Sequence, residues 1–260
     1  MKRQSKLIKV ILAFALIIGA FSFNSSFAAG QDVQINETNF PDANFREYVK
    51  RFDNNRNGKL SNSEINVVKN IDVSENNIQS IKGVEFFVDL EELECVKNKI
   101  NYLDVSKNTK LKKLNCEWNE LTNLDVTKNT SLIELRCGIN HLTTIDLKNN
   151  KNLRVLWCQT NRFKNLDIKE NILLNEVFLV KNEISTLDLS NNKELKTLDV
   201  SENNIKNIDL SNNAKLEKLN ASTNKLSEID VGKNLALGEL DCRENLLKNI
   251  DLKNNKKLYY

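Results

Sequence analysis

A twelve-residue stretch near the start of the chain places oxygen-bearing side chains at the spacing of a calcium-binding loop. Residues 53–64 read DNNRNGKLSNSE, which fits the EF-hand pattern D-x-[DN]-x-[DN]-G-x5-E at every specified position. Since only two of the side-chain ligands are carboxylates, we expect weak Ca²⁺ binding that stabilises rather than senses, with a Kd on the order of 10⁻⁴ M or weaker. The predicted ligands are Asp53, Asn55, Asn57, Lys59 through its carbonyl, Ser61 and Glu64.

The same stretch has an interpretation without metal. Ser61 and Glu64 also form the S-x-x-E pattern of a helix capping box, which would engage the same glutamate. A single EF-hand without a partner is also unusual. The loop is therefore either a calcium site or a helix–loop–helix cap that needs no ion.

Beyond this loop, one pattern recurs every 21 residues from Leu90 to Lys257. It reads L-x-x-L-x-C-x-x-N-x-L-x-x-L-D-V-x-x-N-x-x, and eight copies follow one another without insertion or deletion. This period and these leucine and asparagine positions are typical of a leucine-rich repeat solenoid. A ninth copy starts at Leu258 without a polar cap, which predicts a truncated gene, end-to-end association or a frayed last turn.

The predicted fold class is α/β: a solenoid with a curved parallel sheet, mostly extended and turn structure on its convex side, and an N-terminal helix–loop–helix cap. Each half of the 21-residue coil should contain one short extended segment. The first cap helix should begin near Pro41 and Asp42, and the second should run from the loop through Ile65, Val67 and Val68. The predicted divisions are 1–28 signal peptide, 29–67 EF-hand-like cap, 68–89 irregular first repeat, 90–257 eight repeats and 258–260 the start of a ninth.

Four columns of the repeat, at positions 6, 9, 15 and 19, have structural interpretations. Asparagine at positions 9 and 19 suits turns, because its amide can bond backbone groups that a bend leaves unpaired. Position 6 is cysteine in some copies and leucine, valine or alanine in others, which favours free buried thiols over disulfides. Aspartate at position 15 is outward, either bonded locally and solvated or forming a cation-binding stripe.

The first half of the repeat varies from copy to copy, and its positions 3, 5, 7 and 8 should face the concave surface. Both tryptophans of the chain fall there. Exposed aromatic residues beside an arginine are typical of binding hot spots. Packing of Trp157 against its neighbours alone is the simpler alternative. The predicted binding residues are Trp118, Arg136, Ile139, Val155, Trp157, Phe178 and Val180.

The first 28 residues have the three parts of a secretory signal: a basic start, an apolar run and a small-residue site at Ala28. Removing the four positive charges of this leader takes the net charge from +3 to −1. A near-neutral chain with interspersed charges gives no reason to expect nucleic-acid binding. The sequence predicts an exported protein with no membrane span in its mature part.

An EF-hand-like cap that leads into N-x-I and L-D-V-S-x-N repeats resembles the internalin-like leucine-rich repeat surface proteins of bacteria. The resemblance covers about residues 35–260. It implies a secreted or surface protein that binds other proteins, often host proteins, through a concave face. Internalins proper have longer repeats than the 21 residues found here.

These observations predict a binding protein rather than an enzyme. The single histidine, His141, sits at a turn position, so no nucleophile–base pair is visible. A glycan-binding or structural cell-wall protein is the alternative, with Trp157 and Phe178 as a platform on which a sugar could stack.

Overall fold

The computed structural model describes residues 32–259 of the chain. These residues belong to one compact unit. The predicted signal peptide, residues 1–28, and the last residue, Tyr260, lie outside the described residues.

The dominant element of the described residues is a parallel sheet built from one three-residue strand per coil. Its strands are β3 Asn70–Asp72, β4 Glu92–Glu94, β5 Lys113–Asn115, β6 Glu134–Arg136, β7 Val155–Trp157, β8 Glu176–Phe178, β9 Thr197–Asp199, β10 Lys218–Asn220 and β11 Glu239–Asp241. From β4 onward each residue pairs with the one 21 places further along, so equivalent positions form columns across the sheet. The leucine-rich repeat solenoid is confirmed.

Burial follows the repeat. Position 1 is a fully buried leucine in all eight copies. In each strand from β4 to β10 the central residue is buried, whereas the residues before and after it are partly exposed or exposed. The second half of the coil differs from the expectation of an extended segment: in the described residues it forms no regular strand, and a single bridge joins Asp104 to Asp125. There the backbone bonds with asparagine and aspartate side chains and in local turns, such as the Asn108 amide to the Val105 carbonyl.

Both asparagine columns join successive coils. At position 9, Asn161 accepts from the Leu142 amide at 2.9 Å and donates to the Cys137 carbonyl at 3.1 Å in the preceding coil. At position 19, Asn150 donates at 2.9 Å to the carbonyls of Val126 and Asn129. These contacts recur along the solenoid, and they confirm that the two columns are structural.

Position 6 forms a column of thiols in the interior. Cys95, Cys116, Cys137 and Cys158 lie in consecutive coils and are fully buried, whereas Cys242 is half-buried. All five are free, and the Sγ atoms of Cys137 and Cys158 are 3.2 Å apart. Burial raises the pKa of the Cys95 thiol to about 12, so this column behaves as apolar core.

The N-terminal cap has two short helices, α1 Ala43–Val49 and α2 Asn62–Ile65. The helix α1 begins close to the expected start, with Asp42 as its N-cap, and a 3₁₀ turn, Lys50–Phe52, continues it. The expectation that the second helix runs through Val67 and Val68 is wrong. It ends at Ile65 because the chain is already entering the first coil: the Lys69 carbonyl accepts from two amides of the next coil, and Val67 is 69% exposed.

The cap is fastened to the first coil by both polar and aromatic contacts. The Oδ2 atom of Asp42 accepts from the amides of Gln79 and Ser80 at 2.8 and 3.3 Å. Phe40 packs against Phe86 with ring centroids 5.5 Å apart. At Gly83, with φ of 105°, a Cβ atom would lie 2.2 Å from the Phe40 ring, so only glycine fits.

Candidate functional site

The candidate binding surface is the open face of the sheet, which we define by repeat positions 3, 5 and 7. Positions 3 and 5 are the first and last residues of each strand, on the opposite side of the backbone from the buried position 4. Position 7 follows two residues later. Because the sheet is in register, three parallel columns of variable side chains run along this face.

Its centre holds an aromatic cluster. The Arg136 guanidinium carbon lies 3.8 Å from the centroid of the Trp157 ring, and the Phe178 ring lies 5.2 Å from it at an interplanar angle of 56°. The indole Nε1 of Trp157 donates to Glu176 Oε1 at 2.7 Å, and Arg136 Nε lies 2.7 Å from Glu134 Oε1. Trp157 therefore contacts both Arg136 and Phe178, and it is half-buried between these two neighbours.

Trp118 and Ile139 have a left-handed backbone that the sequence does not predict. Both are at position 8, where the backbone is left-handed in every coil, with φ of 56° and 53°. The conformation is held by bonds between coils, such as the Trp118 amide to the Gly138 carbonyl at 3.1 Å. A β-branched residue such as Ile139 is rarely found there. Trp118 is 52% exposed at this rim of the open face.

Val155 and Val180 are half-buried parts of the same face. Val155 lies between Glu134 and Glu176 in the position 3 column. Val180 takes position 7, and its carbonyl accepts from the Thr160 amide at 2.7 Å. The two valines thus flank the aromatic cluster with apolar surface.

A polar bridge that the sequence does not predict lies beside this cluster. The Gln159 Nε2 atom donates to Glu117 Oε1, two coils away, across Gly138. A Cβ atom at Gly138 would lie 2.5 Å from Gln159 Cδ, so the glycine makes room for the crossing side chain. The only sequence signal is the glycine itself, which replaces larger residues in a variable column.

Two carboxylates of the open face are partly desolvated. Burial raises the pKa of Glu117, against the opposing effects of the Gln159 hydrogen bond and Arg136, and its side chain is 9% exposed. Burial also raises the pKa of Glu94, where a hydrogen bond from Asn115 opposes it. Both residues belong to coils that precede the aromatic cluster.

On the other side of the cluster, the open face forms a groove of about 860 Å³ from Phe178 to Tyr259. Asp199 and Asn220 lie along it and are joined by a 3.0 Å hydrogen bond from the amide to the carboxylate. At its far end Arg243 pairs with Asp241 at 2.6 Å. The groove lining combines charged side chains with a larger share of apolar surface, and Phe178 of the aromatic cluster lies at one end of it.

The aspartates at position 15 bond locally. Each accepts, through Oδ1, from the backbone amide two residues further on, as Asp188 does from Ser190 at 3.0 Å. Hydrogen bonds from Ser190 and from Lys169 lower the pKa of Asp188 to about 2. The interpretation as local backbone bonding is confirmed for this column: Asp104, Asp125, Asp146, Asp167, Asp188, Asp209, Asp230 and Asp251.

The loop at residues 53–64 folds around its own oxygen atoms. Asp53 accepts from the amides of Asn57 and Gly58 at 3.1 and 2.8 Å, and the backbone is left-handed at Arg56 and Gly58. The side-chain oxygens of Asn55 and Asn57 each accept from an amide two residues further on. Asn55 Nδ2 also lies 3.4 Å from Glu64 Oε1, so the two ends of the loop approach each other.

Two further features bear on the predicted calcium loop. Glu64 Oε2 accepts from the amide and hydroxyl of Ser61 at 2.9 and 2.7 Å, while its Oε1 accepts from the Asn54 amide. The capping box is therefore present, and its hydrogen bonds lower the pKa of Glu64. The second feature is a short antiparallel pairing of strand β2, Lys59–Leu60, with strand β1, Val33–Gln34, which steadies the loop without a second EF-hand.

Among residues 32–259, no three His, Cys, Asp or Glu side chains converge where they could hold a metal ion. The predicted calcium loop offers amide, hydroxyl and carbonyl oxygens beside two carboxylates. No helix in the described part of the chain is long and apolar enough to span a membrane.

Comparison with solved structures identifies the class of solenoid. The functional domain of InlJ from Listeria monocytogenes, described as including a cysteine ladder, superposes with a TM-score of 0.84 at 35% identity. The match covers 89% of this chain and 52% of that one, so this chain spans about half the length of the InlJ chain.

Two more distant structures share the fold. Internalin C2 of Listeria monocytogenes matches with a TM-score of 0.70 at 22% identity, over 88% of this chain and 96% of that one. A leucine-rich repeat protein of Leptospira interrogans matches with a TM-score of 0.71 at 23% identity, over 81% and 55%. Neither the protein-family models nor the curated proteins that were compared match the chain. The chain has the internalin-like leucine-rich repeat fold.

Proposed function

We propose that the protein is a secreted or cell-surface binding module that captures a protein partner on the open face of its sheet. The observation that carries this proposal is the contact of Arg136, Trp157 and Phe178 at the centre of that face. Large aromatic residues beside arginine, surrounded by half-buried apolar groups, form the usual core of a protein-binding site. The likeness to internalins and the signal-like leader support the same function.

The cluster is better suited to a protein than to a sugar ring. A glycan platform needs a free aromatic face, whereas Arg136 covers one face of Trp157 and Phe178 meets the ring at 56°. Catalysis is not proposed. His141 is exposed at position 10, outside the open face, and burial raises the pKa of the Cys95 and Cys116 thiols.

The cysteine column belongs to the frame of this module. We infer that Cys95, Cys116, Cys137 and Cys158 correspond to the cysteine ladder described for InlJ. Their complete burial supports a packing role beneath the binding face.

Replacing Trp157 and Phe178 together by alanine should weaken partner capture about 30-fold or more, because hot-spot residues contribute about 2 kcal/mol or more each. The measurement is a pull-down from extracts of secreted and surface proteins, with a glycan array in parallel. Circular dichroism should show that the solenoid remains folded, since both side chains are only half-buried.

The matched control removes apolar surface elsewhere. Tyr102 and Ile172 are 71% and 53% exposed and lie outside positions 3, 5 and 7, so their double alanine variant should capture partner as the wild type does. Unchanged capture by the Trp157→Ala, Phe178→Ala variant would contradict the assignment, and specific glycan binding by the wild type would favour the glycan alternative.

We further propose that Ca²⁺ stabilises the cap through Asp53, Asn55, Asn57, Lys59, Ser61 and Glu64. The gathered loop oxygens and the ionised Glu64 fit this donor set, and Ca²⁺ supplies the charge that holds them together. With a Kd of about 10⁻⁴ M, 10 mM Ca²⁺ should stabilise the fold by about 2.7 kcal/mol. Denaturant unfolding with and without the ion measures this effect.

Glu64→Gln is the informative variant for this proposal. Its side-chain oxygen can still accept a capping hydrogen bond, whereas the negative charge that attracts the ion is gone. The Ca²⁺ response should therefore disappear while the helix remains. The proposal would be contradicted if 10 mM Ca²⁺ did not stabilise the wild type against unfolding, or if Mg²⁺ stabilised it equally.

A further inference from the structure

The charges of the open face do not balance. Positions 3, 5 and 7 of the eight repeats hold eight carboxylates and four cations. Each cation already has a carboxylate partner on the same face. The pairs are Lys113–Glu92 at 3.8 Å, Arg136–Glu134 at 2.7 Å, Lys218–Glu239 at 2.6 Å and Arg243–Asp241 at 2.6 Å.

Four carboxylates remain, and within residues 32–259 none of them has an ion-pair partner on this face: Glu94, Glu117, Glu176 and Asp199. Their hydrogen-bond partners are neutral. Asn115 bonds Glu94, Gln159 bonds Glu117, Trp157 bonds Glu176, and Ser201 with Asn220 bond Asp199. These bonds hold the carboxylates in place without cancelling their charge.

The four unneutralised carboxylates flank the aromatic cluster. Glu94 and Glu117 lie in the coils before Trp157, whereas Glu176 and Asp199 lie in the coils that hold and follow Phe178. Glu117 is only 9% exposed, and the nearby Arg136 forms its ion pair with Glu134 instead, so the desolvated charge of Glu117 is costly. A second polar atom, the Gln159 Oε1 next to it, is buried without a hydrogen-bond partner. The surface is therefore incomplete in a way that a cationic donor would correct.

We propose that the occupant of the open face is a basic protein segment, whose lysine or arginine side chains lie on Glu94, Glu117, Glu176 and Asp199 while an apolar residue packs on Trp157 and Phe178. This inference rests on the proposed protein-binding function and names the chemistry of the partner. Ammonium or guanidinium groups would donate to the carboxylates and to Gln159 Oε1. The groove beyond Phe178 gives the segment room to continue towards Asp199.

The test uses three synthetic twelve-residue peptides as probes. The first alternates lysine with leucine and phenylalanine, the second replaces every lysine by glutamate, and the third replaces every apolar residue by serine. Calorimetry with the full mature chain should show that the first binds, that the third binds more weakly and that the second does not bind. Raising the salt concentration should weaken the first peptide's binding, because surface charge pairs are screened.

Two variants that each lose four carboxylates measure the contribution of the open face to peptide binding. The test variant keeps the neutral hydrogen bonds and should weaken binding of the first peptide by about tenfold or more. It combines Glu94→Gln, Glu117→Gln, Glu176→Gln and Asp199→Asn. The control removes four carboxylates outside positions 3, 5 and 7 and should change binding by less than about twofold. Its substitutions are Glu170→Gln, Glu183→Gln, Glu194→Gln and Glu228→Gln.

Equal losses in the two variants, equal binding of the acidic peptide, or no binding of the basic peptide would each overturn the inference. A failure of this inference can be told apart from a failure of the proposed function. If the Trp157 and Phe178 alanine variant loses its natural partner while the carboxylate variant keeps it, the face binds protein but its occupant is not basic.

Discussion

Asn161→Ala should lower the free energy of unfolding by roughly 2–4 kcal/mol, although it removes only a small polar side chain. Asn161 Oδ1 is the acceptor for the buried Leu142 amide at 2.9 Å, and its Nδ2 donates to the Cys137 and Cys158 carbonyls at 3.1 and 3.2 Å. Alanine leaves the amide without a partner in a site where water cannot replace it. Denaturant unfolding followed by circular dichroism measures the change.

The control is Asn152→Ala, at an exposed position. The Asn152 side chain makes one hydrogen bond, to the Thr130 carbonyl at 3.1 Å, and both ends can be solvated. Its loss should cost less than about 0.5 kcal/mol. Because each coil contacts mainly its neighbours, faster hydrogen exchange in the Asn161 variant should centre on the coils of Leu142 and Asn161. Equal stability of the two variants would show that the column is not what joins the coils.

Much of this frame could be predicted because each requirement repeats. Leucine at position 1 and asparagine at positions 9 and 19 recur eight times each, so one local explanation applies to the whole sheet. The stacking of equal coils then fixes the register without further information. In the cap, Asp42 is recognisable as the residue before α1, since an acidic side chain there can accept from the first free amides.

The second cap helix shows where local patterns fail. Ile65, Val67 and Val68 look like a continuing apolar helix face, yet the chain leaves the helix at Ile65. The helix ends there because the first coil pairs with the second through the Lys69 carbonyl. A contact between distant segments outweighs one turn of helix, which is unstable alone.

The geometry of the proposed binding face was predictable in part. The types and columns of Arg136, Trp157 and Phe178 indicate a shared surface, and their contacts follow from the parallel register. The left-handed backbone at Ile139 was not predictable, because isoleucine is a poor indicator of that conformation. The Gln159–Glu117 bridge spans two coils, a relation that no single repeat contains.

A second large effect is expected at the junction between the cap and the solenoid, where one carboxylate bonds two segments. Asp42 Oδ1 accepts from the amides of Asn44 and Phe45 at 2.9 and 3.0 Å, while Oδ2 accepts from Gln79 and Ser80. Asp42→Ala removes all four bonds, and we expect it to destabilise the protein by about 3 kcal/mol. Loss of a cap costs about 1 kcal/mol, and bonds to a charged acceptor contribute about 1.5 kcal/mol or more.

Asp42→Asn separates the two roles, because an amide has one acceptor oxygen and its nitrogen cannot accept. Whichever way the asparagine rotates, one pair of amides loses its acceptor, and we expect about half of the alanine effect. Hydrogen exchange at Phe45 and Gln79 identifies which pair is released. Glu47→Gln, an exposed change of the same charge on α1, should have little effect. If Asp42→Asn is as stable as the wild type, the junction depends instead on the aromatic packing of Phe40 against Phe86, and Phe40→Leu should then be the more damaging change.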